Sequence, residues 1–123
     1  MSVSRILVAD DDAQVRKVFA RKLRSAGYGV SEAKTGEEAL TLLRAMRFRL
    51  LVLDLDMPDI DGFQVLKMVR GEFPHIQILV VSGYLSGALL EAASYFGAAR
   101  TLQKPTSPQL LVETARIMLG DTD

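Results

Sequence analysis

The sequence contains no cysteine, which excludes disulfides, thiol nucleophiles and cysteine-bound metals together. It has a single histidine, His75, and one imidazole cannot build a histidine-rich metal site. It has no surplus of either charge: 15 basic residues offset 15 acidic ones, whereas a nucleic-acid binder ordinarily carries a basic excess. No apolar run reaches membrane-spanning length, and the opening "MSVSRILVADDD" turns acidic too soon for a signal peptide. No repeat, linker or low-complexity segment interrupts the chain. These absences leave a cytoplasmic domain with neither a nucleic-acid nor a membrane partner as the expectation. The 123 residues, 49% of them apolar, suffice for one core in a single domain spanning 1–123.

What is present is a regular alternation of short apolar runs with helix-period segments. Ile6 to Ala9 reads as a buried strand. Asp12 to Ala26 carries Val15, Val18, Phe19 and Leu23 on one helical face, with Arg16, Lys17, Arg21, Lys22 and Arg24 mostly elsewhere, and Gly27 stops it. "GVSEA" (29–33) is a second strand. Thr35 and Glu38 form a capping box for a helix with Ala39, Leu40, Leu43 and Met46. Leu50 to Asp54 is a third strand, followed by a helix with Phe63, Leu66 and Val69 inward. Ile76 to Ser82 is a fourth strand, Ser86 to Phe96 a helix stopped by Gly97, and 98–103 a fifth strand. Ser107 caps a last helix that has Pro108 at its first position and runs to Leu119. Five strands alternating with five helices predict an α/β fold, a doubly wound parallel sheet covered on both faces.

The strands end on chemistry. The first ends in Asp10, Asp11 and Asp12, the third in Asp54, the fourth in Ser82 and the fifth in Gln103-Lys104. In a parallel sheet all these ends share one edge, and ligands bind there where the strand order reverses. If the first and third strands are neighbours, Asp10, Asp11 and Asp54 converge. Converging carboxylates repel unless a cation intervenes. Mg²⁺ takes one or two carboxylates, keeps waters and is completed by phosphate oxygens. A carboxylate can itself be the nucleophile and form an aspartyl phosphate. Lys104 would then supply a second positive charge, and the Ser82 hydroxyl could donate to a phosphoryl oxygen.

These residues, in this order, carry a family resemblance. The whole chain closely resembles the receiver domains of two-component response regulators, in particular single-domain, chemotaxis-regulator-like ones. "ILVADDD" matches the acidic pair at Asp10 and Asp11. "LVLDLDMPDIDG" is similar to the phosphoacceptor segment, with Asp54 as acceptor. "VVSG" supplies Ser82, and "QKP" supplies Lys104 before Pro105, whose peptide bond is typically cis in the family. The resemblance implies a flavodoxin-like sheet of order 2-1-3-4-5. It implies that a histidine kinase or a histidine phosphotransfer protein presents phosphohistidine and that the receiver catalyses transfer to its own Asp54. Asp11, Asp54 and the backbone carbonyl of Asp56 would hold Mg²⁺, with Asp10 bound directly or through water. Ser82 would be drawn inward, changing the face of the fourth helix, fifth strand and fifth helix for a downstream protein. No enzyme activity beyond self-phosphorylation and self-dephosphorylation is implied.

Some positions depart from that pattern. Thr101 stands where most receivers have Tyr or Phe, Thr106 replaces a common Phe, and Gly83 follows Ser82 where Ala is usual. The route from site to output face is therefore expected to be reduced, or carried by the 83–88 loop. Asp56 and Tyr84 would flank the path of attacking water and tune the lifetime of the acyl phosphate.

Plainer readings exist for single residues. Asp12 is a helix cap, and Asp59 and Asp61 serve a turn and the next helix. His75 is a surface residue. The basic face of the first helix is ordinarily solvated; in the family it contacts the kinase. Leu85, Leu89 and Leu90 are candidates for partner contact or for the core.

Three rival functions are distinguishable. "LVLDLD" also fits a haloacid-dehalogenase-like phosphatase with Asp54 as nucleophile and Asp56 as acid/base. That family puts the motif on its first strand, places Thr or Val where Pro58 stands, and has a later acidic pair absent from this chain. A pseudo-receiver would not need the acid triad, Ser82 and Lys104. A receiver within a longer transcription factor or hybrid kinase is the third; the "MSVSR" start and short polar tail favour a stand-alone protein.

Overall fold

A computed structural model of the chain describes residues 3–57, 62–83 and 87–121, apart from the Leu90 side chain. The elements alternate: β1 (Arg5–Ala9), α1 (Ala13–Ser25), β2 (Gly29–Ala33), α2 (Gly36–Ala45), β3 (Leu50–Leu53), α3 (Gly62–Glu72), β4 (Gln77–Ser82), α4 (Gly87–Tyr95), β5 (Arg100–Gln103) and α5 (Pro108–Leu119). The sheet has five strands in the order β2-β1-β3-β4-β5, and every neighbouring pair is parallel. This is the doubly wound arrangement that the strand and helix pattern predicts.

Alternation along each strand builds two cores. Leu7, Leu51, Leu53, Ile78 and Val80 face one side and pack with residues of α2 and α3 such as Leu40, Leu43, Val65 and Leu66. Ile6, Val8, Leu50, Val52, Leu79 and Val81 face the other and pack with Phe19 and Leu23 of α1 and with Leu111, Ala115 and Leu119 of α5. Both faces of the central strands are therefore apolar, as helix-covered strands require.

The helix ends are set by the expected residues. The Asp12 carboxylate accepts from the backbone N–H groups of Gln14 and Val15 at 3.0 and 3.2 Å. Thr35 accepts from the Glu38 N–H at 3.0 Å, and in return the Glu38 carboxylate accepts from the Lys34 N–H at 3.2 Å. Ser107 caps α5, which ends at Gly120 in the left-handed region. The expected roles of Asp59 and Asp61 lie outside the described residues.

Two expectations need correction. Val18 is 40% exposed, because the buried row of α1 runs through Phe19, Ala20 and Leu23 and position 18 falls beside it. The third strand stops at Leu53, one residue before Asp54, so Asp54 begins the loop. That loop is held close to α3 by Gly62: a Cβ on Gly62 would lie 2.3 Å from the Leu55 Cα and carbonyl oxygen, so only glycine fits.

Candidate functional site

The strand order reverses between β1 and β3, and the acidic residues follow these two strands directly. The ladder continues one residue past each: Asp10 N–H donates to the Ala33 carbonyl at 3.0 Å and Asp54 N–H to the Ala9 carbonyl at 2.9 Å. Asp10 and Asp54 are thereby fixed at the rim of the sheet with both side chains buried, each residue only 3% exposed. Asp11, one step further out, is exposed. Carboxylate oxygens of Asp10, Asp11 and Asp54 lie within 4.8 Å of one another.

Lys104 arrives from the end of β5, where its N–H bonds to the Ser82 carbonyl at 3.0 Å. Its ammonium donates to Asp10 Oδ2 at 2.8 Å and reaches Asp54 Oδ2 at 3.4 Å. The following Lys104–Pro105 peptide is cis, as the resemblance implied. Burial favours a neutral Lys104, but the hydrogen bond and charge of Asp10, with Asp54 behind, outweigh it and hold the ammonium above its ordinary value. Asp54 shows the opposite balance. Burial pushes its carboxyl up to about 6, with the negative charges of Asp10 and Asp56 adding to the rise, against the Asp56 N–H bond and Lys104, which lower it.

On the far side of Asp54 the chain forms a second pair. Asp56 N–H donates to Asp54 Oδ1 at 3.1 Å. The Asp56 carboxylate, exposed to solvent, accepts the Ser82 hydroxyl at 2.7 Å, although Ser82 itself is only 1% exposed. Asp10, Asp11, Asp54, Asp56, Ser82 and Lys104 thus share one rim. Gly83 beside them is exposed, and Thr101 is half-buried on β5 opposite Val80. Tyr84 and Leu85 lie outside the described residues. His75 is exposed in the turn between α3 and β4, at the opposite edge of the sheet.

Two contributors escape a reading of the sequence. The side-chain link between Asp56 and Ser82 joins residues far apart in the chain, and no spacing rule announces it. The charge pattern puts Arg16 on a solvated face, yet its side chain is only 11% exposed. It donates to the Asp10 carbonyl oxygen at 2.9 Å and to Glu32 at 3.1 Å, bracing the loop that carries the acidic pair. Its signal is legible all the same: position 16 lies one helical turn before Phe19 and Ala20, on the buried row.

Among the described residues the grouped donors are all hard carboxylate oxygens. This suits Mg²⁺ and does not suit zinc or copper. A buried carboxylate flanked by a lysine and by further carboxylates can act as a phosphoryl acceptor once the cluster's negative charge is countered.

Comparison with known proteins identifies relatives of the whole chain. The family model described as "Response regulator receiver domain" matches residues 6–116. The chain is 39% identical to "Response regulator MprA" of Mycobacterium tuberculosis over 122 residues, covering 99% of this chain and 53% of the relative. It is 36% identical over 128 residues to the "Probable transcriptional regulator ycf27" of Porphyridium aerugineum, covering all of this chain and 51% of that protein. The chain spans about half the length of these curated relatives. Among solved structures it is similar to a CheY-like response regulator receiver domain protein from Methanospirillum hungatei. There the TM-score is 0.93 at 29% identity, with 98% of this chain and 96% of the other covered.

Proposed function

The chain belongs to the response regulator receiver family, and from that membership we propose that Asp54 is its phosphoacceptor, charged by a phosphohistidine on a sensor kinase or histidine phosphotransfer protein. An Asp54 oxygen attacks phosphorus, the new O–P bond replaces the N–P bond, and the leaving imidazole nitrogen keeps the electron pair and takes up a proton from solvent. The observation that carries this reading is the burial of Asp54 between Lys104 at 3.4 Å and the Asp10–Asp11 pair. Lys104 offers its ammonium to the incoming phosphoryl oxygens, and the Ser82 hydroxyl offers a hydrogen bond. Asp11, Asp54 and the Asp56 carbonyl, with Asp10 directly or through water, would hold Mg²⁺. When bound, that ion supplies positive charge to the transferring group.

The chain acts in this reading only on its own acyl phosphate, so it turns over no external substrate. Family membership favours this over a haloacid-dehalogenase-like phosphatase built on Asp54 and Asp56. The signal is passed to a downstream protein at the face of α4, β5 and α5, where Leu89 is exposed. A cytoplasmic setting fits such partners, and no described helix is long and apolar enough to cross a membrane.

Mass spectrometry after incubation with acetyl phosphate and Mg²⁺ tests the reading. Wild type gains one phosphoryl group and Asp54→Asn gains none. A label on another side chain, or steady turnover of a phosphate ester, defeats it.

A further inference from the structure

We propose that Asp56 is a positioning residue: its carboxylate holds the Ser82 hydroxyl in the resting form and competes for it with the phosphoryl group on Asp54. The inference rests on the receiver reading and adds to it a regulatory role for a side chain to which the resemblance gave only water tuning.

The geometry makes the competition unavoidable. A serine hydroxyl has one proton to donate. That proton is directed at Asp56 Oδ2, and the 2.7 Å separation is that of a charge-assisted bond. A phosphoryl oxygen on Asp54 can receive it only if Asp56 gives it up. Asp56 is also tied to the acceptor itself, through its N–H on Asp54 Oδ1 at 3.1 Å, so acceptor and competitor share one short segment. Exchange is feasible because the two ends differ in surroundings. Asp56 is exposed, so water can replace the lost hydroxyl. Ser82 is buried, so its hydroxyl follows whichever acceptor is on offer. The equilibrium between the two arrangements is then set by the difference between the two bonds. Thr101 stands at the β5 position for which the resemblance implies an aromatic ring, so ring rotation adds nothing to that difference here.

The bond weakens capture of a phosphoryl mimic by the fraction of molecules in which Ser82 is already engaged. Removing it tightens capture, and that gain disappears when the hydroxyl is absent. A second explanation predicts tightening too: loss of one negative charge near an anionic ligand. The two differ in the amide variant, because Asp56→Asn removes the charge and still leaves Ser82 an acceptor oxygen.

Titration of the full chain with beryllofluoride in saturating Mg²⁺, followed by amide resonances, separates them. Asp56→Ala is expected to bind about ten- to a hundredfold more tightly than wild type, the range set by one charge-assisted hydrogen bond. Asp56→Asn falls between wild type and Asp56→Ala. In a Ser82→Ala background, Asp56→Ala and Asp56→Asn bind equally, closing the double-mutant cycle. Equal tightening by the amide and alanine variants when Ser82 is present, or the same gain with and without the Ser82 hydroxyl, overturns the proposal and leaves charge alone. Unchanged affinity in Asp56→Ala overturns it as well. Failure of the wild type to bind beryllofluoride at all counts against the receiver reading itself, which the acetyl phosphate experiment tests separately.

Discussion

Lys104 is bound more closely to Asp10 than to Asp54, its ammonium lying 2.8 Å from the first and 3.4 Å from the second. The lysine that the receiver reading assigns to the phosphoryl group is thus committed, before any transfer, to the neighbour of the acceptor. Both carboxylates are almost wholly buried, whereas the lysine side chain is 21% exposed. Lys104→Met would leave two buried negative charges facing each other. The expected loss at neutral pH is about 1–3 kcal/mol, less than for a fully enclosed pair because the lysine is partly hydrated. The loss should shrink toward pH 4 as the Asp54 carboxyl, raised by its burial, takes up a proton, and urea unfolding at several pH values measures it. A loss that grows on acidification would contradict this account.

Asp54 gives a pH dependence of definite sign. Its carboxyl stands at about 6 in the folded chain against an ordinary value of 3.8. Between those values the folded form holds more protons than the unfolded one, so this group's contribution falls as pH rises through the window and is level above it. Asp54→Asn removes the effect. In EDTA the variant should gain stability relative to wild type on going from pH 4 to pH 7, by about 1–3 kcal/mol. Using the difference between the two proteins cancels the opposite contribution of Glu72, whose carboxyl is held low by its hydrogen bond to Arg44. A flat difference across the window would mean that burial of Asp54 is relieved by some other means.

The sequence makes strand ends legible because apolar runs and carboxylates are chemically opposite: Leu53 is satisfied by apolar packing, whereas Asp54, though also buried, needs charged and hydrogen-bonding partners, so their junction marks the rim. Caps such as Asp12 and Ser107 are legible for a similar reason, since each satisfies N–H groups only two or three residues away. Arg16 is misread because its charge draws attention away from its place on the buried row of α1. Glu32, which receives it, lies on another element. The pairing of Ser82 with Asp56 is hidden more deeply. It depends on the β3–β4 register and on where the loop turns after Asp54, and both are consequences of tertiary packing.

Gly62 fixes that loop, and substitution there should be costly in a way its position at the start of a helix would not suggest. Alanine at the first turn of a helix is ordinarily favourable. Here its methyl group would meet backbone atoms of Leu55 at 2.3 Å, and backbone cannot rotate away as a side chain can. Gly62→Ala is expected to destabilise the chain by about 1–3 kcal/mol and to shift the amide resonances of Leu55 and Asp56. Thermal unfolding together with those two resonances is the check. A neutral or stabilised variant would show that the segment after Asp54 yields easily.

Arg70 makes an equally specific set of contacts at the other edge of the sheet. Its guanidinium donates to the carbonyl oxygens of Pro74 at 2.9 Å and of Ile76 and Gly97 at 3.0 Å. It thus joins the end of α3, the start of β4 and the turn after α4. Gly97 has φ +115, and a Cβ there would lie 2.8 Å from Arg70 Nε, so the glycine and the arginine are fitted to each other. An ammonium cannot reproduce the planar fork that reaches several carbonyls at once. Arg70→Lys should therefore lose most of what Arg70→Ala loses, about 1–3 kcal/mol. Hydrogen exchange locates the effect: the amides of Ala98 and Ala99, bonded to Ala93 and Ile78 at 2.9 Å, should exchange faster in both variants. Phosphoryl uptake from acetyl phosphate should be unaltered, because Asp54 lies at the opposite edge. Reduced uptake with unchanged exchange would mean that Arg70 communicates with the acidic rim, and its role as a local clamp would have to be given up.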